Sequence, residues 1–245
     1  MRAITEPRPF LSANWRHLAM ANYRVPSELL EPWVPPGTRL DGYQGRVYVS
    51  LVGFLFQNTR LKGITVPMHQ SFEEVNLRIY VRRPHPEGWR QGVVFIREIV
   101  PRRAATAVAR WLYNEPYSTM PMRHEIVRNR DELPERVEYG WRHGASWQSI
   151  QLQLEGPAEW PQPGSLASFL TENYWGYTTQ RDGGCVEYRV DHPPWKLMPS
   201  VQTKVEVDGV SLYGEAFRGL FEREPDSAFL ACGSAVTVWE GERIS

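Results

Sequence analysis

Cysteine and lysine are both scarce in this 245-residue chain, and each scarcity removes a class of chemistry. Two cysteines, Cys185 and Cys232, cannot form a disulfide framework and are not spaced as a metal motif. Only Lys62, Lys196 and Lys204 could supply a Schiff-base amine; every other member of the 28 basic residues is arginine. An excess of either charge is also missing, since 28 Asp+Glu balance 28 Lys+Arg. No global field therefore favours nucleic acid or an anionic membrane as a partner. Met1 to Phe10 lacks the continuous apolar stretch of a signal peptide. The longest apolar-rich run, Val47 to Phe56, is about half of what crosses a bilayer as a helix. A cytoplasmic protein without membrane association is expected.

Several motifs are absent as well. There is no Gly-x-Ser-x-Gly elbow, no phosphate-binding glycine loop and no dinucleotide fingerprint. These absences argue against a familiar serine hydrolase, a nucleotide enzyme and an NAD dehydrogenase. His17, His69, His85, His124, His143 and His192 form neither His-x-His nor His-Glu-x-x-His, so no metal site is expected. No cofactor is expected either.

What the chain does have is apolar and aromatic mass. Apolar residues make up 42% and aromatics 12%, including 10 Trp and 11 Tyr. A chain of this length can bury roughly 70–75% of its unfolded surface. The 20 prolines punctuate short apolar segments, which favours many strands over long helices. Strands are predicted at Arg46–Phe56, Glu74–Arg83, Gly92–Val100, Arg136–Trp141 and Trp147–Leu154. Further strands are predicted at Asn173–Thr179, Cys185–Asp191, Thr203–Val207, Ser211–Phe221 and Ala235–Trp239. Helices are predicted at Glu28–Trp33, with Ser27 as a cap, at Arg103–Tyr113 and at Ser165–Glu172. The pattern is that of a mainly β protein, β-rich α+β, folding over residues 1–245 as one domain, with a barrel or sandwich as its closure.

Glu74 to Arg82 carries the most information. Val75, Leu77, Ile79 and Val81 share one face; Glu74, Asn76, Arg78, Tyr80 and Arg82 share the other. The apolar face must meet a core. The polar face is either solvated, with cross-strand partners, or the lining of a pocket. Glu74 and Arg78 then stand about 13 Å apart along the strand.

This strand is one of several segments that resemble a known family. The others include Trp15-Arg16, Tyr23-Arg24-Val25-Pro26, Val34-Pro35-Pro36-Gly37 and Gly45 to Val52. In the C-terminal half they are Phe169 to Tyr174 and His192-Pro193-Pro194-Trp195. Together they resemble the YqjF-like family of uncharacterised bacterial proteins, within the acetoacetate-decarboxylase-like superfamily. The resemblance implies a closed, cone-like antiparallel β-barrel with a few short helices and an internal pocket. It sets Arg16 where the decarboxylase has a substrate-contacting arginine, and Glu74 near a pocket glutamate. The decarboxylase's lysine pair falls at Tyr117-Ser118, neither of which is lysine. The iminium mechanism is thereby left without its amine. Lys196, beside His192 and Trp195, is the one candidate substitute, and its ordinary reading is a side chain leaving a turn for solvent.

The candidate site follows from these readings. Arg16 and Arg78 are expected to hold an anion, with Glu74 as acid/base or orienting group and Tyr117 and His192 as auxiliary donors. Asn76 and Trp195 complete the candidate ligand-binding set. The expected partner is a small organic acid or carbonyl compound. Turnover, pure binding or sensing, and a structural role with a filled interior all remain open, as does a homo-oligomer.

Overall fold

A computed structural model describes residues 9–65, 70–102 and 116–244. The helix expected at Arg103–Tyr113 lies outside the described residues. Strands dominate in chain order: β1 (Pro9–Val25), β2 (Arg39–Leu40), β3 (Val47–Leu61), β4 (Ile64–Thr65) and β5 (Phe72–His85). They continue as β6 (Gly88–Val100), β7 (Tyr117–Thr119), β8 (Met122–Arg128), β9 (Pro134–His143) and β10 (Ser146–Leu154). The last are β11 (Trp175–Thr179), β12 (Cys185–Asp191), β13 (Leu197–Glu206), β14 (Ser227–Trp239) and β15 (Glu242–Ile244).

Pairing runs β12, β11, β6, β5, β3, β1, β14, and a β12–β14 contact returns the path to its start. The returning contact is narrow, formed by Val190 opposite Val238 and Asp191 opposite Thr237. Pairing is antiparallel apart from short parallel contacts of β6 with β11 and β7. From β14 the path leaves through β13, β10, β9 and β8, which form a second layer. Both faces of β5 are covered as a result. Its apolar face (Val75, Leu77, Ile79, Val81) packs in one core with Tyr139 and Trp141 of β9 and Ile150 and Leu152 of β10. The opposite side of the sheet holds a second, aromatic core that includes Phe54, Phe56, Phe72 and Trp195.

Several local features differ from the sequence expectations, among them an unpredicted β8 and the earlier starts of β13 and β14. The 17-residue β1 was not anticipated, because its alternation breaks at His17. There a bulge shifts the register against β3 between Arg16 and Ala19, and His17 takes a φ of 53°. Ser211–Phe221 is helical rather than extended. Asp208 caps the Gly209–Tyr213 helix by accepting from the Ser211 amide at 2.9 Å, and Gly214 ends it with a φ of 97°. Ser27 opens the Ser27–Leu30 helix instead of capping it, since Pro26 occupies the cap position. By contrast, Ser165 caps the Leu166–Thr171 helix as expected, accepting from the Ser168 amide at 3.2 Å.

Candidate functional site

Between the ring strands and the Leu166–Thr171 helix lies a cavity of about 220 Å³. Most of its wall is apolar and aromatic; the polar exceptions are concentrated along β5. Alternation aims Glu74, Asn76 and Arg78 inward, and their exposures of 2%, 3% and 7% make this a buried polar row. Glu98 of β6, 3% exposed, lies opposite Asn76 in register and also faces the cavity.

Glu74 is the most connected member. Asn76 donates from Nδ2 to Glu74 Oε1 at 3.0 Å, and the Tyr117 hydroxyl donates to Glu74 Oε2 at 2.9 Å. Tyr117 is brought there by β7, which pairs alongside Glu98 of β6. Burial pushes the Glu74 carboxyl up to about 7, against the opposing pull of Asn76, Tyr117 and the Arg78 charge. Glu74 can therefore gain or release a proton near neutral pH.

Arg78 is held differently. Its Nη2 donates to the Leu170 carbonyl at 3.0 Å, at the end of the short helix. It has no carboxylate at ion-pairing distance among the described residues, and its Nε is buried without a hydrogen-bond partner there. Asn76 Oδ1 is likewise buried and unsatisfied. A buried guanidinium with spare donors is costly unless an anion completes its shell.

His192 and Trp195 bring the β12–β13 connection to the cavity wall. Their rings stack at 4.2 Å between centroids and 18° between planes. The Trp195 indole donates to Ser234 Oγ at 2.9 Å, and His192 Nδ1 donates to the Pro193 carbonyl at 2.9 Å. Burial, with a smaller contribution from the Arg78 charge, lowers the His192 pKa and favours a neutral ring. His192 also borders a surface depression with Tyr174, Asp191 and Pro193, so it stands between cavity and solvent.

Arg16 does not join this group. Trp15 and Leu18 take the inward positions of β1 across the bulge, while Arg16 donates from Nη1 to the Gly233 carbonyl at 3.3 Å. It is therefore not the partner of Glu74. Lys196 is exposed, 5.5 Å from the Trp160 ring centroid, and no lysine lines the cavity. Sequence reasoning missed Glu98, although a lone acid in the apolar run Gly92–Val100 was a signal. It also missed the aromatic end formed by Phe54, Phe56 and Phe72, although Phe72 shares the alternating face of Glu74 and the two β3 residues lie opposite Glu74 and Phe72 in register.

Comparison with known proteins places this geometry among relatives. The sequence profile of the DUF2071 family, described as an uncharacterized conserved protein, matches residues 12–235. The uncharacterized protein YqjF of Bacillus subtilis (strain 168) is 28% identical over 204 residues, covering 81% of each chain. Among solved structures, the enduracididine biosynthesis enzyme MppR complexed with pyruvate superposes with a TM-score of 0.66 at 14% identity, covering 100% of this chain and 93% of that one. Acetoacetate decarboxylase from Legionella pneumophila gives 0.65 at 11% identity, covering 98% and 88%. An acetoacetate decarboxylase-like enzyme from Sphingomonas wittichii RW1 gives 0.66 at 14% identity, covering 100% and 99%. At these identities the structural likeness establishes the fold and nothing finer.

Proposed function

The chain belongs to the DUF2071 family of uncharacterized conserved proteins, with the acetoacetate-decarboxylase-like fold, and from that premise we propose that its cavity binds a small organic acid or carbonyl compound. Arg78 is the anion anchor in this reading. Glu74 is the proton-exchanging group, oriented by Tyr117 and Asn76, while His192 and Trp195 form the wall toward solvent. One observation carries it: a buried guanidinium without an ion pair among the described residues, on the same strand face as a buried carboxyl whose pKa is shifted to about 7. The neighbour MppR was solved with pyruvate, which agrees in chemical class. The cavity weighs against a filled interior. A cytoplasmic location is part of the same proposal and agrees with two free cysteines.

A second reading, a binding or sensor module without turnover, is favoured by the lack of a cavity lysine. Solvent-deuterium exchange at the carbon next to a bound keto acid's carbonyl separates the two. Exchange that vanishes in Glu74→Gln supports turnover, and its absence in the wild type supports the sensor.

Arg78→Met tests the anchor. A charged hydrogen bond is worth about 1.5–3 kcal/mol, so calorimetry should show carboxylates binding roughly 10- to 150-fold more weakly. The ligand-free variant should melt higher than wild type, because an uncompensated buried charge has been removed. Unchanged acid affinity in a folded Arg78→Met protein would rule out the anchor.

A further inference from the structure

The aromatic end of the cavity defines what the ligand carries besides its carboxylate. Four aromatic side chains form it in mutual contact. Trp15 meets Phe54 edge-on at 5.3 Å and Phe56 at 5.9 Å, while Phe56 stacks on Phe72 at 4.8 Å and 18°. Register fixes this cluster at the opposite end from the anchor. Phe72 lies across from Phe56 and Glu74 from Phe54, whereas Arg78 lies across from Ser50. The β5 row thus runs from aromatic to cationic, with Glu74 between.

We propose that the ligand is an aryl acid: a carboxylate at Arg78, a flat ring among Trp15, Phe54, Phe56 and Phe72, and a polar substituent at the ring's far edge. The inference rests on the reading of Arg78 as anion anchor and specifies the rest of the molecule. Size supports it. A cavity of about 150 Å³ accepts benzene. A volume of about 220 Å³ adds room for a carboxylate and one or two carbons. Acetate or pyruvate alone would leave the aromatic wall without contact atoms.

The polar substituent is argued from unmet hydrogen bonds. Trp15 Nε1 and Thr59 Oγ1 both belong to residues lining the cavity, and both atoms are buried without a partner among the described residues. A dry apolar tail would leave them so, at a cost; a ring hydroxyl or ring nitrogen would satisfy at least the indole.

Isothermal calorimetry on the full chain tests this with acetate, propionate, phenylacetate and 4-hydroxyphenylacetate. Burying a ring of this size predicts phenylacetate binding about 10- to 100-fold tighter than propionate. The hydroxyl should tighten it further, and Trp15→Phe should erase that increment, read within the variant as equal affinities for phenylacetate and 4-hydroxyphenylacetate. If propionate and phenylacetate bind equally and both depend on Arg78, the aryl inference fails while the anchor stands. Aryl acids that bind wild type and Arg78→Met equally would defeat the anchor and this inference with it. The wild-type series decides the ring question even if a variant does not fold.

Discussion

At the scale of single residues, Glu74 sets a pH dependence. Its ordinary carboxyl pKa of 4.5 is raised to about 7 in the folded chain, chiefly by burial. Between those values the folded state holds a proton that the unfolded state has released. The stability owed to neutral Glu74 is therefore complete below about pH 4.5 and is lost as pH rises through about 7. Wild type should lose melting temperature relative to Glu74→Gln over that window. A difference that stays flat, or grows with pH, would contradict the assigned direction. Ionised Glu74 also competes with an anionic ligand for the field of Arg78, so acid affinity should fall over the same window. The strand bearing these groups was legible because its alternation is complete from Glu74 to Arg82. Whether its polar face met water or a cavity was not, since a period of two names faces and not what covers them. Arg16 entered the candidate set by resemblance alone, and the β1 bulge gives the inward positions there to Trp15 and Leu18.

At the scale of elements, Tyr139 of β9 ties the second layer to the bulge. Its hydroxyl donates to the His17 carbonyl at 2.8 Å, and its ring lies over Gly53 of β3. A Cβ on Gly53 would approach the Tyr139 ring to 2.7 Å, closer than real contacts allow. Gly53→Ala should therefore destabilise by about 1–3 kcal/mol despite its better strand propensity. Denaturant melts should show partial recovery when Tyr139→Leu is added, and additive losses would mean that the two positions do not press on each other. The helix at Gly209–Tyr213 teaches the converse. Its residues Ser211-Leu212-Tyr213 suit a strand, and the decision fell to the Asp208 cap and the Gly214 stop at its ends. Edge chemistry overrode propensity there.

At the scale of the whole molecule, every lysine is turned to other work. Lys62 pairs with Glu240 at 2.8 Å, Lys204 with Glu206 at 2.8 Å, and Lys196 lies over Trp160. Incubation with pyruvate and borohydride should leave the intact mass unchanged, and a stoichiometric adduct on any lysine would reopen iminium chemistry. Among the described residues no helix is long and apolar enough to cross a membrane. β5 divides two interiors, each face carrying the residues that only its own side can accept. Sliding it by a single position would thrust Val75 and Leu77 into the cavity wall and drive Glu74 and Arg78 into hydrocarbon. Point substitutions along the row can therefore change the cavity wall one group at a time. A one-residue insertion or deletion within β5 would instead disrupt the cavity and the apolar core together, so the length of this strand is constrained more tightly than the chemistry of its inward row.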